Sequence, residues 1–359
     1  MALFALISLA PLALFAAGIW QGGGRLGGGW LLAGLIYMSL LAASLDQIGA
    51  LFTGDRADGA GFPAASPLLA AIALGHLGLL PLATHAIAGD SGLSGPERGV
   101  LFAGTGLWFG QVANPAAHEL IHRGQRGLFG LGVLIYATLL FGHHASAHRL
   151  VHHRHAASPL DPSSARAGEG YYAFAARAWL GSFREGWRAE TELRARRGPP
   201  RNPLRRPHPY LVYAAIAVAS LCTGWLIAGF VGVLVWAGLA LHAQSQLLLS
   251  DYVQHYGLTR GPRADGTLEP VDARHSWNAG HWFTSGLMLN AARHSDHHAH
   301  PARPFAALRL PASAAAPRLP WSLPVACLIA LAPSVWQRAM KPHLARWQHA
   351  PDAAAETLD

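Results

Sequence analysis

The chain has few charged residues and few cysteines compared with an ordinary soluble enzyme. Only 13% of its 359 residues are Asp, Glu, Lys or Arg, and Lys341 is its single lysine. The two cysteines, Cys222 and Cys327, both lie in apolar segments and form neither a disulfide framework nor a cysteine metal pair. We expect both to be small buried hydrophobic residues. The sequence also lacks a Gly-rich phosphate loop and any flavin, nicotinamide or Cys-rich iron–sulfur motif, so electrons for redox chemistry would have to come from another protein.

Long charge-free runs fill most of the sequence. Half of the residues (52%) are hydrophobic, and several runs approach the roughly 20 residues that cross a bilayer core. The composition therefore predicts an all-α polytopic membrane protein in which residues 1–359 form a single integral-membrane domain. We predict six transmembrane helices, near Leu3–Trp20, Gly28–Leu45, Pro67–Ala88, Val100–Ala117, Leu211–Leu226 and Gly229–Leu249.

Arginine is concentrated in one segment, residues 166–206, which holds ten of them. Positive charge near membrane ends favours the cytoplasmic side, so this basic segment is predicted to be cytoplasmic. No nucleic-acid-binding module interrupts the apolar runs, and we expect no nucleic acid partner. Residues 350–359 are interpreted as a frayed C-terminal tail.

Eight of the 21 histidines fall in three short clusters. Histidines at i and i+4 lie on one face of a helix, so each cluster can direct two or three imidazole nitrogens at one point. This is the spacing of metal ligands. The eight residues are His118, His122, His148, His152, His153, His294, His297 and His298.

Two shorter apolar runs are not predicted to span the membrane. Leu128–Phe141 separates the first two clusters, which could not share a site if this run crossed the bilayer, and its 14 residues are too few to cross. The same argument applies to Leu323–Leu331. Six spans then place both termini and all three clusters on the cytoplasmic side.

The number of histidines exceeds what one metal needs. A catalytic zinc site uses three protein ligands, and soluble di-iron bundles use Glu-x-x-His motifs, of which only Glu119–His122 is present. We therefore favour a pair of irons with histidine ligands. Carboxylates should hold the distal ring nitrogens, and the candidates are Glu119, Asp161, Glu169, Asp251 and Asp296. A zinc metalloprotease, through His118-Glu-x-x-His122, is a remote alternative that leaves the other clusters unused.

At these motifs the sequence resembles the membrane-bound alkane 1-monooxygenases, within the fatty acid desaturase and hydroxylase superfamily. The resemblance runs from about Asn114 to Lys341. It includes His118-Glu-Leu-Ile-His122-Arg123, the stretch Gly142–His153, and Ser158-Pro-Leu-Asp-Pro-Ser-Ser-Ala-Arg166. It continues in Asp251-Tyr-Val-Gln-His255-Tyr-Gly-Leu258, His275-Ser-Trp-Asn278 and Arg293-His-Ser-Asp-His-His-Ala-His-Pro301.

The resemblance adds His255 as a ninth ligand to the eight clustered histidines. Three positions depart from the family's motifs. Ala147 stands where the second motif has Glu, Val151 where it has Gly, and Gln254 where Glu precedes the ninth histidine. A xylene-monooxygenase-like enzyme and a fatty-acyl desaturase or hydroxylase are the neighbouring alternatives.

The activity implied by the resemblance is hydroxylation of the terminal methyl of an n-alkane to a 1-alkanol. It would use O2, two iron ions per chain, and electrons from rubredoxin supplied by its reductase. The location implied is the bacterial inner membrane, with several spans and the active site on the cytoplasmic side. An apolar channel would admit the alkane from the lipid bilayer, and Leu35, Ile36 and Tyr37 are guessed to line it.

Overall fold

The structure, a computed structural model, describes residues 1–48, 64–198 and 207–348. The last three arginines of the predicted basic segment (Arg201, Arg205 and Arg206) and the predicted tail at 350–359 lie outside the described residues. Within the described ranges the regular structure is helical, and β-type pairing is limited to two isolated bridges, Pro262–Leu268 and Asn278–Arg318. The all-α prediction is confirmed for this part of the chain.

The first three apolar segments form long helices. Helix α1 is Ala2–Gln21. Helix α2, Arg25–Ile36, continues through a π-helical turn, Tyr37–Leu41, into the short α3, Ala42–Leu45. Helix α4 is Ala65–Ala88. Each of these three stretches is long and apolar enough to cross a membrane.

The fourth predicted segment forms a composite helix whose N-terminus is capped by side chains. Ser94 and Glu97 form a capping box at the start of α5, Gly95–Trp108. A π-helical turn, Phe109–Ala113, joins α5 to α6, Asn114–Ile121. This helical stretch carries the first histidine motif at its C-terminal end.

The second histidine motif follows a short hairpin. Helix α7, Arg126–Thr138, packs against α6 and is 13 residues long. It is followed by α8, His144–Ala147, a π-helical turn, His148–His152, and the single-turn α9, His153–His155. The amphipathic helix α10, Tyr171–Arg197, packs against α8 and carries much of the basic segment.

Helix α11, Pro209–His255, is two helices joined at a sharp break. Ala228 and Gly229 have non-helical backbone angles, and Gly229 has a positive φ of 58°. A Cβ added to Gly232 would lie 2.0 Å from the carbonyl oxygen of Gly224. The chain therefore turns back on itself, and glycine permits the close approach of the two halves. The halves correspond to the two predicted spans that begin at residues 211 and 229.

The C-terminal part of the chain covers the end of the bundle where α6 and α11 end. It contains two 3-10 turns and four helices. The turns are Ala273–His275 and Phe305–Ala307, and the helices are α12, Trp282–Leu287, α13, His294–Ala299, α14, Leu323–Ala330, and α15, Pro333–Gln348. Helix α14, only eight residues long, packs against α11.

Buried cross-helix hydrogen bonds fix the positions of these helices. The indole Nε1 of Trp108 donates to the Ser8 carbonyl over 2.9 Å, and that of Trp236 donates to the Thr138 carbonyl over 2.9 Å. Because an unpaired donor is costly in apolar surroundings, each bond favours one arrangement of its two helices.

Neither cysteine is fully buried, contrary to expectation. Cys222 is exposed on α11, and Cys327 is partly exposed. An apolar side chain need not be buried in protein when the surrounding surface is itself apolar, as on a helix that faces lipid.

Candidate metal centre

Local helix geometry explains how each histidine motif presents its side chains. His118 and His122 are one turn apart at the end of α6. The π-helical turn His148–His152 has i to i+5 spacing, so His148 and His153 come to one face while His152 is directed to another. In the structure the Nε2 atoms of His148 and His153 lie 2.9 Å apart.

The structure brings all nine predicted histidines together. In space they form two groups, called cluster one and cluster two from here on, which differ from the three clusters in the sequence. The ligand nitrogens within each cluster lie within 4.8 Å of one another. Cluster one consists of His118, His122, His148, His153 and His297, and cluster two consists of His152, His255, His294 and His298.

In both clusters the Nε2 atoms converge. In cluster one the Nε2 of His118 lies 2.8 Å from that of His148, and the Nε2 of His297 lies 3.1 Å from that of His153. In cluster two the Nε2 of His294 lies 2.9 Å from that of His255 and 3.1 Å from that of His298.

These separations fit a metal ion at the centre of each cluster. Two ligands about 2.1 Å from a metal and at right angles to each other are about 3.0 Å apart. The Nε2 of His122 is buried without a hydrogen-bond partner among the described residues. A cation would satisfy that nitrogen and the converging nitrogens together, so the residues present fit a metal.

The protonation state of the rings also suits metal binding. Burial, followed by the charge of the neighbouring imidazoles, lowers the pKa of His148, His153, His297 and His298 well below the ordinary value. These four rings are therefore neutral near pH 7, the form in which an imidazole nitrogen binds a metal. The pKa of His152 is instead raised, because its burial, which lowers it, is outweighed by the charge of Asp161.

Asp161 is the candidate carboxylate that contacts a clustered ring directly. Its Oδ2 lies 2.8 Å from Nδ1 of His152 and accepts a hydrogen bond from the Ser164 hydroxyl over 2.6 Å. Burial alone would raise the pKa of the Asp161 carboxyl, but these contacts hold it below its ordinary value. The carboxylate thus orients the His152 ring with its Nε2 toward cluster two.

The other candidate carboxylates make different contacts. Glu119 pairs with Arg123 over 2.6 Å, and Glu169 pairs with Arg177 over 2.7 Å. Asp296 accepts hydrogen bonds from Arg303 and from the backbone N–H of Arg309.

Asp251 accepts a hydrogen bond from Ser163. It also lies close enough to His152 for its negative charge to favour the charged form of the His152 ring. The expectation that all five hold distal ring nitrogens therefore needs correction, because Glu119, Glu169 and Asp296 pair with arginines instead.

Glu119 also faces the interior. The backbone N–H of Phe305 donates to it over 3.2 Å, which ties α6 to the loop after α13.

A cavity of about 430 Å³ opens onto both clusters. Its walls come from α5 and α6, the second half of α11, the loop before α13, and α14. Its histidine-bearing end includes His118, His148 and His297 of cluster one and His294 of cluster two. Leu107 and His242 line it further along the two long helices.

The guess that Leu35, Ile36 and Tyr37 line the channel differs from the structure. None of the three is among the cavity-lining residues of the described chain. Ile36 is exposed, and the Tyr37 hydroxyl donates to the Ile7 carbonyl over 3.1 Å, so this stretch packs against α1 instead.

Several lining residues were missed in the sequence, although a signal for some was present. Gln111 and Asn114 precede His118 by seven and four residues and so share its helix face. Cys327 and Leu328 on α14 also line the cavity, and no local pattern marked them.

The three motif departures lie near the site. Gln254 lines the cavity, and its Nε2 donates to the Ala291 carbonyl over 3.0 Å. Ala147 is buried and lies against Gly186 of α10, where a larger side chain would have little space. Val151 is buried in the π-helical turn that carries His152.

Residues 98–327 match the family model for fatty acid desaturases. The chain belongs to the fatty acid desaturase family. The matched range includes all nine of the clustered histidines. It also contains every cavity-lining residue except Leu328 and Leu331.

Within this family the chain is similar to alkane 1-monooxygenases. It is 32% identical to alkane 1-monooxygenase from Pseudomonas putida over 267 residues, which is 72% of this chain and 63% of the relative. It is 33% identical to alkane 1-monooxygenase 1 from Pseudomonas aeruginosa over 241 residues, 66% of this chain and 61% of the relative. The similarity noted in the motifs is thereby confirmed. The chain spans somewhat less than two thirds of the length of these curated relatives.

Proposed function

We propose that this protein is a membrane non-haem di-iron monooxygenase that hydroxylates the terminal methyl of n-alkanes to 1-alkanols. The observation that carries the proposal is the cavity that reaches both histidine clusters. A chain-shaped apolar substrate in this cavity would present one end to His118, His148, His294 and His297. The names of the relatives support the same reaction.

The nine clustered histidines are the proposed ligands of two iron ions per chain. Nine nitrogens exceed the six positions of one octahedral shell, and their division into five and four suits one ion in each cluster. Imidazole is a ligand that iron accepts readily. When bound, the irons would supply the reductive activation of O2.

The protein's own contribution is to position the substrate and exclude water. The two long helices α5–α6 and α11 run side by side along the cavity, so a flexible chain can lie parallel to them. End-on entry exposes the terminal methyl first, although internal C–H bonds are weaker. Positioning therefore decides which carbon is oxidised.

Six membrane spans are the topology we propose. Three are α1, the stretch from α2 to α3, and α4. The composite α5–α6 is the fourth, and the two halves of α11 are the fifth and sixth. In support, the loop between the first two spans lies beside the loop after α4, where the backbone N–H of Gly24 donates to Glu97 over 2.9 Å. These two loops belong on the same side of the membrane in a six-span arrangement.

Helix α7 is proposed to lie within the bundle without crossing the bilayer. Its 13 residues extend about 20 Å, less than the roughly 30 Å hydrocarbon core. His118 and His148, on either side of it in the sequence, have Nε2 atoms 2.8 Å apart. A crossing would separate them.

Electrons are proposed to come from a rubredoxin-type donor and its reductase at the cytoplasmic face of a bacterial inner membrane. The basic helix α10 lies against the second histidine motif. Its arginines, among them Arg184 and Arg188, would attract an acidic donor and also follow the positive-inside rule.

Product analysis with a panel of substrates tests this function. Purified iron-loaded protein is given O2, an electron donor and, in turn, n-alkanes of graded length, xylene and a fatty-acyl substrate. We expect 1-alkanols from the alkanes as the favoured products. Chiefly benzylic alcohols, secondary alcohols or new double bonds would contradict the proposal and indicate one of the neighbouring activities.

A further inference from the structure

The cavity contains polar atoms that an alkane cannot satisfy. Gln111, in the π-helical turn Phe109–Ala113, is 9% exposed and lines the cavity, and its Oε1 has no hydrogen-bond partner among the described residues. Buried polar groups are nearly always paired, and an unpaired one costs stability. A ligand is one way to pair it.

A second unpartnered oxygen lines the same cavity. The Oε1 of Gln246, on α11, also lines the cavity and lacks a partner among the described residues. Its carboxamide lies over Gly110, the residue before Gln111, where an added Cβ would be 2.2 Å from the Gln246 amide. The Nε2 of Gln246 donates to the Gly106 carbonyl over 2.8 Å, which fixes the amide with its oxygen free.

The other carboxamides of the cavity are already engaged. Asn114 donates to the Ala243 carbonyl over 2.9 Å. Gln254 donates to the Ala291 carbonyl and accepts from the Ser250 hydroxyl over 2.8 Å. Among the carboxamides of the cavity, the oxygens without a partner in the described residues are therefore those of Gln111 and Gln246, on two adjacent helices. The Nδ1 of His242, another lining residue, also lacks a partner there.

We propose that Gln111 and Gln246 form a hydroxyl-binding subsite, so that the cavity binds a medium-chain primary alcohol with its methyl end toward the histidines. Each free acceptor oxygen can pair with a ligand group that donates a hydrogen, and a group with one hydrogen pairs with one of the two oxygens at a time. In apolar surroundings that group should be neutral, because a charged one is costly to bury. An aliphatic hydroxyl meets both requirements and can also accept from the Gln111 amide.

The position of the subsite sets the length of the ligand. Gln111 precedes His118 by seven residues, about 10 Å along a helix. An extended chain advances about 3.5 Å over three bonds, so the hydroxyl and the methyl should be about nine bonds apart. Alcohols of about eight to ten carbons should gain most from the subsite.

The reaction of such a ligand rests on the proposed function. One C–H bond of the methyl and the O–O bond would break, and a C–O and an O–H bond would form. The second oxygen atom would leave as water, with two electrons from the external donor and two protons from the solvent. The product would be an α,ω-diol.

Binding of 1-nonanol and n-decane, which have equal numbers of heavy atoms, tests the subsite. Calorimetric titration would use the full-length, iron-loaded protein in nanodiscs, without an electron donor. We expect Gln111→Leu to lower the preference for 1-nonanol over n-decane roughly five- to tenfold relative to wild type, the worth of about one hydrogen bond. Each probe also partitions into the lipid of the nanodisc, but it does so equally for every variant. The ratio of affinities between a variant and wild type is therefore unaffected by that partition.

Leu107→Met, on the same cavity wall, is the matched control and should keep the wild-type preference. Gln111→Leu should also unfold at the same temperature as wild type or higher, since it removes an unpaired buried polar group. A Gln111→Leu protein that is folded and retains the full preference for 1-nonanol would overturn the subsite, and would indicate that water fills it. Because binding is measured without turnover, a failure of the proposed hydroxylation would appear separately, as absence of nonane-1,9-diol when the donor and O2 are added.

Discussion

His297 and His298 are adjacent in α13, yet their imidazoles lie in different clusters. His297 joins His118, His122, His148 and His153, while His298 joins the second cluster. His152 and His153 divide in the same way. Two short segments therefore each contribute to both clusters, so a displacement of either segment would disturb the two proposed metal sites together.

Replacing Asp161 by Asn should weaken metal binding without removing a proposed ligand. The carboxylate contacts Nδ1 of His152 over 2.8 Å, and loss of such a partner typically lowers metal affinity about 10–100-fold. Iron retained during titration with a chelator is the measurement.

Asp265→Asn is the matched control for that prediction. Asp265 is exposed and accepts hydrogen bonds from Thr267 in a loop away from the clusters. Its substitution should leave iron retention unchanged. Equal chelator resistance of the Asp161→Asn protein and wild type would show that the contact does not support the metal.

The proposed topology predicts that Gln125 and Leu160 face the same side of the membrane. Both are exposed, and they lie on either side of α7 and the second histidine motif. Single cysteines at these positions, in a chain with Cys222 and Cys327 replaced by Ser, should react alike with a membrane-impermeant thiol reagent from the cytoplasmic side.

A cysteine at Asp90, in the exposed loop after α4, should react from the opposite side. The six-span arrangement places that loop across the bilayer from the histidine clusters. Opposite accessibility of the Gln125 and Leu160 positions would mean that α7 crosses the membrane, contrary to the proposal.

Gly232→Ala should destabilise the fold at the helical hairpin of α11. The new Cβ would lie 2.0 Å from the Gly224 carbonyl oxygen, and backbone has little freedom to move away. Overpacking of this kind typically costs about 1–3 kcal/mol. The thermal unfolding temperature should fall measurably.

Gly78→Ala, in α4, is the matched control, because an added Cβ there meets no atom within 4 Å. Alanine is also the better helix former, so this substitution should leave the unfolding temperature unchanged or raise it. If Gly232→Ala and Gly78→Ala unfold at the same temperature, the two halves of α11 are not packed as closely as the structure has them.

Much of the fold and of the histidine arrangement could be predicted from the sequence. Charge-free runs of spanning length mark the long helices, and the repeated i, i+4 histidines predict a shared site. His255 could not be found in this way, because it is a lone histidine after a long apolar helix, and only the family resemblance identified it.

The rest depends on tertiary structure that local patterns do not specify. The π-helical turn that separates His152 from His153 has no sequence signature. The cavity walls come from helices far apart in the chain, such as α6 and α14, so the guess at Leu35–Tyr37 had no physical basis beyond apolarity. The partners of Glu119, Glu169 and Asp296 are arginines whose proximity appears only after folding.

The iron content of purified, active protein tests the central claim most directly. We expect two irons per chain in the wild type, and the same in the control His85→Ala, whose side chain is exposed at the end of α4. His297→Ala and His298→Ala should each lower the iron content, from cluster one and cluster two respectively, and His297→Ala should abolish alkane turnover. One iron per chain, or zinc alone, in fully active wild-type protein would contradict the account.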